Sequence, residues 1–145
     1  MTTAEPGNGS TTTALDLTDG VPSLAAVRRW AGAALDDLPD DVLEDVLLVL
    51  TELVSNAFDH GEHPRRVRLR RRAVPCSVRV EVYDGAFSPP VVGRSRLGEH
   101  RGRGLVIVDR LSTAWGVLDH QAGKTVWADI DGTSTPDTVH TGHGT

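Results

Sequence analysis

The sequence has a single cysteine, Cys76, and it has neither a long apolar run nor a basic balance of charge. One cysteine cannot form an intrachain disulfide, so nothing points to an oxidising compartment. No apolar stretch approaches the roughly 20 residues of a membrane-spanning helix, and the N-terminus lacks the basic-then-apolar layout of a signal peptide. We therefore expect a cytoplasmic protein that neither crosses nor enters a membrane.

The charge balance is acidic, with a formal net charge of -5 at pH 7. Proteins that bind nucleic acid neutralise phosphates with a basic surface, so direct nucleic-acid binding is not expected. One predicted strand is a local exception, because it is crowded with arginines. They are Arg65, Arg66, Arg68, Arg70, Arg71 and Arg72. Such a run is typical of a solvated sheet face or of an edge protected from aggregation by charge, and the alternative is a contact face for an acidic partner.

The length of 145 residues and the hydrophobic fraction of 39% favour one globular domain with its own core. Both ends are rich in Thr, Gly, Ser and Asp and have little to bury. We expect flexible tails at residues 1–11 and 132–145, and an ordered domain over 12–131.

Two helices are predicted in the first half of the chain. Ser23 is placed to cap the first, in which apolar residues recur at helical spacing. The second continues to about His60. Asp41 and Glu44 have the spacing of a capping box at its start, and Gly61 is placed to end it in the left-handed conformation.

Five further segments have the alternation or the β-branched residues of strands. They span residues 13–18, 67–73, 77–83, 114–118 and 125–130. The second and third are predicted to form a hairpin. A long irregular segment ends at Arg101, and a short apolar helix from Gly102 to about Leu111 follows it. This order predicts an α+β fold, a two-layer α/β sandwich with helices on one face of a mixed, mainly antiparallel sheet.

Three polar side chains recur at every fourth position of the second helix, namely those of Glu52, Asn56 and His60. At about 100° per residue they drift only about 40° per step, so they stay on one side. Because this helix also has apolar residues outside its main apolar arc, we expect it to be covered on more than one side. The stripe is therefore predicted to face a ligand. The alternatives are an ordinary polar face and, for His60, a place favoured by the helix dipole.

Two glycine-containing motifs lie later in the chain. The stretch 123–125, Gly-Lys-Thr, is not a phosphate-binding loop, because Leu118 stands where that motif needs a glycine and a strand pattern follows it. Gly102 and Gly104 flank an arginine at the predicted start of a helix, where backbone amides can be presented to phosphate.

The sequence carries, in order, Glu52-x-x-x-Asn56 on a helix, Asp84-Gly85 closing a strand, a lid-length loop, Gly102-x-Gly104-Leu105 opening a helix, and a strand that begins Gly-Lys-Thr. This pattern resembles the nucleotide-binding domain of the gyrase, chaperone, histidine-kinase and mismatch-repair ATPase superfamily (GHKL), and the resemblance covers essentially the whole ordered region. It implies a Bergerat-type ATP-binding fold. Within the superfamily, the compact length and the run from Thr51 to Ala57 with its following His60 are most similar to the bacterial anti-sigma-factor serine/threonine kinases.

The resemblance implies a role for three residues in particular. Asn56 would ligate Mg²⁺, a hard ion that is bound through few protein oxygens together with nucleotide phosphates. Glu52 would be the catalytic general base that takes a proton from an attacking hydroxyl. Asp84 would accept a hydrogen bond from the adenine amino group of ATP.

The resemblance further implies that lid glycines approach the phosphates, that Thr125 sits behind the base, and that Arg101 or Arg103 offsets charge on the transferred group. The nucleotide-binding positions so implied are Asn56, Asp84, Gly85, Arg101, Gly102, Arg103, Gly104, Leu105 and Thr125. The chain departs from the family's Asp-x-Gly-x-Gly pattern, because only Gly85 follows Asp84 directly. This departure bears on how the lid hinges.

The activity implied by the resemblance is that of a regulator with ATP and Mg²⁺ as cofactors. It would sequester a sigma factor, phosphorylate a serine or threonine of a small antagonist (anti-anti-sigma) protein, and act as a homodimer. Two other hypotheses remain open from the sequence. One is a non-catalytic nucleotide-binding module that acts by protein contact alone, and the other is a detached catalytic domain of a histidine kinase.

Overall fold

The computed structural model describes residues 2–5, 10–17, 23–86 and 102–132. These residues form six strands and three helices. They are β1 (Thr2–Glu5), β2 (Ser10–Leu17), α1 (Leu24–Ala34), α2 (Asp40–His60), β3 (Arg65–Arg72), β4 (Ser77–Asp84), α3 (Gly102–Leu111), β5 (Ala114–His120) and β6 (Gly123–Asp131).

The strands form one sheet in the order β1-β2-β3-β4-β6-β5, and every pairing among the described residues is antiparallel. The predicted hairpin is confirmed as β3 and β4, which are joined through residues 73–76. The helices pack on one face of this sheet, so the predicted α+β two-layer sandwich is confirmed. No helix of the described segments is long and apolar enough to cross a membrane.

The core lies between α2 and the sheet. The buried residues of α2 are Val46, Val49, Leu50, Leu53, Val54 and Ala57. The sheet contributes Val67, Leu69, Val78, Val80, Val82, Ala128 and Ile130. Full burial of each aliphatic side chain of this size stabilises the fold by about 1.5–3 kcal/mol. Because α2 contributes six of these buried residues, its packing against the sheet is a major source of stability. Helix α1 packs on α2 and buries Val27 and Ala31.

The starts of α1 and α2 agree only in part with those predicted from the sequence. Ser23 caps α1 as predicted, because its Oγ accepts a hydrogen bond from the Ala26 amide at 3.1 Å. The predicted capping box of α2 is wrong. The helix begins at Asp40, so Asp41 already lies in the first turn and its carboxylate accepts from the adjacent Val42 amide instead.

The end of α2 is fixed by Gly61 and Arg65. The prediction that Gly61 is left-handed is wrong, because its φ of -102° and ψ of -173° are those of extended backbone. Arg65 caps the helix instead, donating from Nε to the Ala57 carbonyl at 2.8 Å and from Nη2 to the Gly61 carbonyl at 3.0 Å. Its guanidinium also lies 4.3 Å from the centre of the Phe58 ring, a cation–π distance.

The predicted N-terminal tail contains structure. Thr2–Glu5 pairs with Thr13 to Ser10, and β2 begins at Ser10, before the expected domain start at residue 12. The physical reason is that the threonine-rich segments favour extended backbone and each supplies the other with a hydrogen-bonding partner. The tail predicted for residues 132–145 lies outside the described residues after Gly132.

The arginine-rich strand β3 is an inner strand of the sheet, paired with β2 on one side and β4 on the other. The sheet-edge interpretation of the arginines is therefore wrong, whereas the solvated-face interpretation fits the alternation. Val67 and Leu69 are buried toward the helices, while Arg66, Arg68 and Arg70 are exposed on the opposite face. We call this face, which the helices do not cover, the open face of the sheet.

Candidate functional site

The site is organised around Asp84, the last residue of β4. Val78, Val80 and Val82 alternate along the strand toward the helices, and the same alternation turns Asp84 inward. Asp84 is 2% exposed, and it is the one buried charged residue of the described segments. A buried carboxylate needs hydrogen-bond donors. One donor is the Ala86 amide, which lies 2.7 Å from Oδ1.

Gly61 packs directly against the Asp84 carboxyl group. A Cβ atom at Gly61 would meet Asp84 Cγ at 2.5 Å, Asp84 Oδ2 at 2.7 Å and the Ala57 carbonyl oxygen at 2.7 Å. Only glycine fits this approach, since real Cβ atoms are not found so close to other heavy atoms. The contact places the C-terminal end of α2 beside the end of β4.

Lys124 supplies the second donor to Asp84, and it is not among the site residues predicted from the sequence. Its Nζ lies 3.2 Å from Oδ1 and 3.1 Å from Oδ2. The two residues are direct partners in the β4–β6 register. Alternation could have found Lys124, because it precedes Val126 and Ala128 at the spacing of two that puts all three on the helix side.

The expected place of Thr125 behind the base is wrong by the same alternation. Thr125 pairs with Tyr83, so its side chain points to the open face. There its Oγ1 lies 2.9 Å from His120 Nε2. The physical reason is that neighbouring residues of a strand point to opposite faces, so Lys124 and Thr125 cannot both face the helices.

The polar stripe of α2 lies on the flank of its buried face. Glu52 and Asn56 are half-buried, and neither makes a side-chain hydrogen bond to another described residue. With a rise of about 1.5 Å per residue, Asn56 lies about 7.5 Å along the axis from Gly61, and Glu52 lies about 6 Å further. His60 is exposed at the end of the helix.

Gly85 has a structural contact of its own. Its amide donates to the Glu62 carbonyl at 2.7 Å, and a Cβ atom there would meet the His63 carbonyl oxygen at 2.8 Å. This amide is thus used to hold the loop after α2 against the end of β4. An open hollow of about 560 Å³ lies on the surface of that loop, lined by Gly61, Glu62, His63 and Arg65. Its described lining does not include Glu52 or Asn56.

The predicted second glycine site begins α3. The helix starts at Gly102 as expected, and it packs against α2. The backbone of Gly102, Arg103 and Gly104 therefore forms its first turn, whose amides lack partners within the helix. The Leu105 side chain is buried, so a nucleotide contact from this position is limited to its backbone. Arg101 and the lid-length segment over 87–100 lie outside the described residues.

The side chains of α2 are suited to binding Mg-ATP, whereas the carboxylate of Asp84 is already occupied by Lys124. Asn56 and Glu52 on α2 are half-buried, and their side chains have no hydrogen-bond partner among the described side chains. Amide and carboxylate oxygens of this kind can bind a hard cation that is also bound by phosphates. The described residues contain no cluster of three or more His, Cys, Asp or Glu with the arrangement of a metal site. Asp84 is predicted to accept a hydrogen bond from the base, but Lys124 already contacts both of its oxygens.

Comparisons with known proteins identify the family to which the chain belongs. Among solved structures, the chain is similar to the histidine kinase domain from Erythrobacter litoralis EL346 blue-light activated histidine kinase, at 20% identity and a TM-score of 0.52. The match covers 75% of this chain and 59% of that chain, and at this identity it shows a shared fold. No curated protein matches. Residues 18–130 match the family of histidine kinase-like ATPase domains. Since these residues are most of the chain and contain the Asp84 site, the protein belongs to the histidine kinase-like ATPase domain family.

Proposed function

We propose that this chain binds ATP with Mg²⁺ and phosphorylates a serine or threonine of a small antagonist protein, and that it sequesters a sigma factor. Phosphorylation of the antagonist would block release of the sigma factor. A cytoplasmic homodimer belongs to the same proposal. The observation that carries the nucleotide part is the contact of Gly61 with the buried Asp84 carboxylate. This contact supports the proposal, because it brings a buried carboxylate, which would accept from adenine, next to the helix that bears Glu52 and Asn56.

Asn56 and Glu52 would have different roles in phosphoryl transfer. The amide oxygen of Asn56 would hold Mg²⁺, which neutralises phosphate charge when bound. Glu52 would accept the proton of the substrate hydroxyl as its oxygen attacks the γ-phosphorus. The bond between the γ-phosphorus and the bridging oxygen would break, and ADP would leave with the electron pair. The products are a phosphoserine or phosphothreonine and ADP.

A second candidate is a nucleotide-binding module that acts by protein contact without phosphotransfer. Two contacts favour it. Lys124 covers the acceptor that adenine would use, and the Gly85 amide is engaged with the Glu62 carbonyl. A histidine kinase domain that acts on a histidine-bearing partner is a third candidate, since the fold is shared with such a domain.

Substitutions of Asn56 and Glu52 on α2 test the proposed roles of these residues. Asn56→Ala is expected to weaken Mg-ATP binding about tenfold or more, because a metal ligand is lost. Glu52→Gln is expected to retain nucleotide binding and lower phosphotransfer by about 10²–10⁴-fold, the usual contribution of a general base. Calorimetric titration with Mg-ATP and transfer of ³²P from ATP to the antagonist measure the two effects.

Ser55→Ala serves as the matched control, because Ser55 precedes Asn56 on the same helix and is also half-buried. It should leave both affinity and transfer unchanged. If Asn56→Ala binds Mg-ATP as tightly as the parent chain, the ligand assignment is wrong. The stability of the phosphorylated partner separates the candidate functions. Acid-stable phosphate indicates serine or threonine, acid-labile phosphate indicates histidine, and binding without transfer supports the contact module.

A further inference from the structure

The ion pair between Lys124 and Asp84 has a consequence for nucleotide affinity. Lys124 is the single lysine of the chain. Its ammonium group contacts both oxygens of a carboxylate whose side chain is only 3% exposed, while the lysine side chain itself is 23% exposed. The lysine therefore reaches from a partly solvated position down to a buried acceptor.

The acceptor capacity of Asp84 is largely committed in this arrangement. Oδ1 accepts from the Ala86 amide at 2.7 Å and from Lys124 at 3.2 Å, and Oδ2 accepts from Lys124 at 3.1 Å. Charge-assisted hydrogen bonds are stronger than those from neutral donors. A neutral amino group on a nucleobase would thus compete for Asp84 against a charged group that is already in place.

We infer that Lys124 is a built-in competitor of the nucleobase, which holds Asp84 in the free protein and must release it when nucleotide binds. This inference rests on the proposed function, since it assumes that Asp84 accepts from the base. Release requires no change in the strand. Lys124 is the second residue of β6, next to the β5–β6 turn, and its flexible side chain is partly solvated. The ammonium group can swing out to water by rotation about side-chain bonds.

The test compares Mg-ATP affinity and stability in three versions of the full chain. Lys124→Met removes the ammonium group and keeps an unbranched side chain of similar length. We expect it to bind Mg-ATP about ten- to a hundredfold more tightly, because the competing charged hydrogen bonds are gone. Its urea midpoint should fall at the same time, because Asp84 loses a partner. An affinity that rises while stability falls is not expected of general loosening of the fold.

Arg68→Met is the matched control, because it removes one positive charge from the open face, on the other side of the sheet. Its affinity should equal that of the parent. If Lys124→Met is folded by circular dichroism and binds equally or more weakly, the inference is overturned, and weaker binding would make Lys124 a ligand contact. If none of the three versions binds a nucleotide, the proposed function fails and the inference fails with it. Equal binding by all three overturns the inference alone.

A second measurement uses the unaltered chain and does not depend on the folding of a variant. Labelling with ¹³C-lysine gives one side-chain ε-methylene resonance, because there is one lysine. Saturation with Mg-ATP should move this resonance to the position of a solvated lysine. A resonance that stays at its free-protein position at saturation would show that the ammonium group never leaves Asp84, and would overturn the inference.

Discussion

At the scale of single residues, Gly61 joins the helix end to the site. A side chain at this position would overlap the Asp84 carboxyl group, which is held from other sides by the Ala86 amide and by Lys124. The overlap also involves the Ala57 carbonyl, so movement of Asp84 alone would not relieve it. The need for glycine here is one of space, since the backbone of Gly61 is extended.

The substitution Gly61→Ala should therefore destabilise the protein and disturb the site. We expect the free energy of unfolding to fall by about 1–3 kcal/mol, the usual range for overpacking a filled interior. Mg-ATP affinity should also fall, because Asp84 must shift. Urea denaturation and nucleotide titration measure the two effects.

Gly32→Ala is the control for Gly61→Ala. Gly32 lies inside α1, and a Cβ atom there would meet nothing within 4 Å. Alanine is the better helix former, so this change should raise the free energy of unfolding by about 0.5–1 kcal/mol. Equal effects of the two substitutions would show that the close approach of Gly61 to Asp84 does not constrain the protein.

The sequence predicted Asp84 at the site but not its partner. The turn after β4 and the family pattern both pointed to Asp84. Lys124 and Thr125 belong to one short Gly-Lys-Thr motif, and the motif alone does not show which of the two side chains faces the helices. Counting by two from Val126 puts Lys124 on the helix side and Thr125 on the open face, as the β4–β6 register shows. The hydrogen bonds between Lys124 and Asp84 also depend on β6 lying next to β4, which the local sequence does not determine.

At the scale of elements, α2 was the best predicted part of the chain and its first turn the worst. The broad apolar arc predicts this helix, which has 21 residues in the structure. Its start differs from the prediction, because Asp41 and Glu44 have the spacing of a capping box although the helix begins one residue before Asp41. The structure begins the helix at Asp40, and the acidic first turn then interacts with the positive end of the helix dipole.

The acidic start of α2 has one unfavourable member, Asp45. Burial raises the pKa of its carboxyl group most, and the charges of Asp41 and Glu44 raise the pKa further. A carboxyl group whose pKa in the folded protein exceeds the unfolded value of about 3.9 destabilises the fold when it is ionised. This destabilisation is complete above the folded-state pKa, and it disappears as the pH falls below the unfolded value.

We therefore predict that Asp45→Asn raises the free energy of unfolding at pH 7. The expected gain is about 0.5 kcal/mol, since Asp41 and Asp45 form a like-charged pair at i,i+4 and such pairs cost about 0.2–0.5 kcal/mol. The difference from the parent chain should shrink toward zero as the pH falls toward 3, where Asp45 is protonated in both states. Urea unfolding at several pH values measures it.

Asp40→Asn is the control at the same helix start. Asp40 is the first residue of α2, where its charge suits the dipole, so its loss should lower the free energy of unfolding at pH 7 by about 0.3–1 kcal/mol. A destabilising effect of Asp45→Asn at pH 7 would mean that its carboxylate has a favourable partner that outweighs burial and repulsion.

At the scale of the whole molecule, the sheet separates two surfaces of different character. The helix side holds Asp84, Gly61 and the polar stripe of α2. The open face carries the exposed guanidinium groups of β3, on a protein of net charge -5. Arg68 and Arg70 share the one carboxylate of Glu81 at 3.5 Å each, and they remain 47% and 52% exposed. Arg79 is satisfied by Asp129 at 2.7 Å and lies over the Trp127 ring.

Because the two surfaces are separated by the sheet, changes on the open face should not affect nucleotide binding. The double change Arg68→Ala and Arg70→Ala should leave Mg-ATP affinity within about twofold of the parent, because both side chains point away from the helices. Stability should change by less than about 1 kcal/mol, since exposed pairs at this distance contribute little. If the open face is the contact surface for an acidic partner, the apparent KM for the antagonist in the phosphorylation assay should rise in this variant. The affinity for Mg-ATP should stay constant. A loss of Mg-ATP binding in this variant would show that the two surfaces are coupled through the sheet, and the division of the molecule into a nucleotide side and a partner side would be wrong.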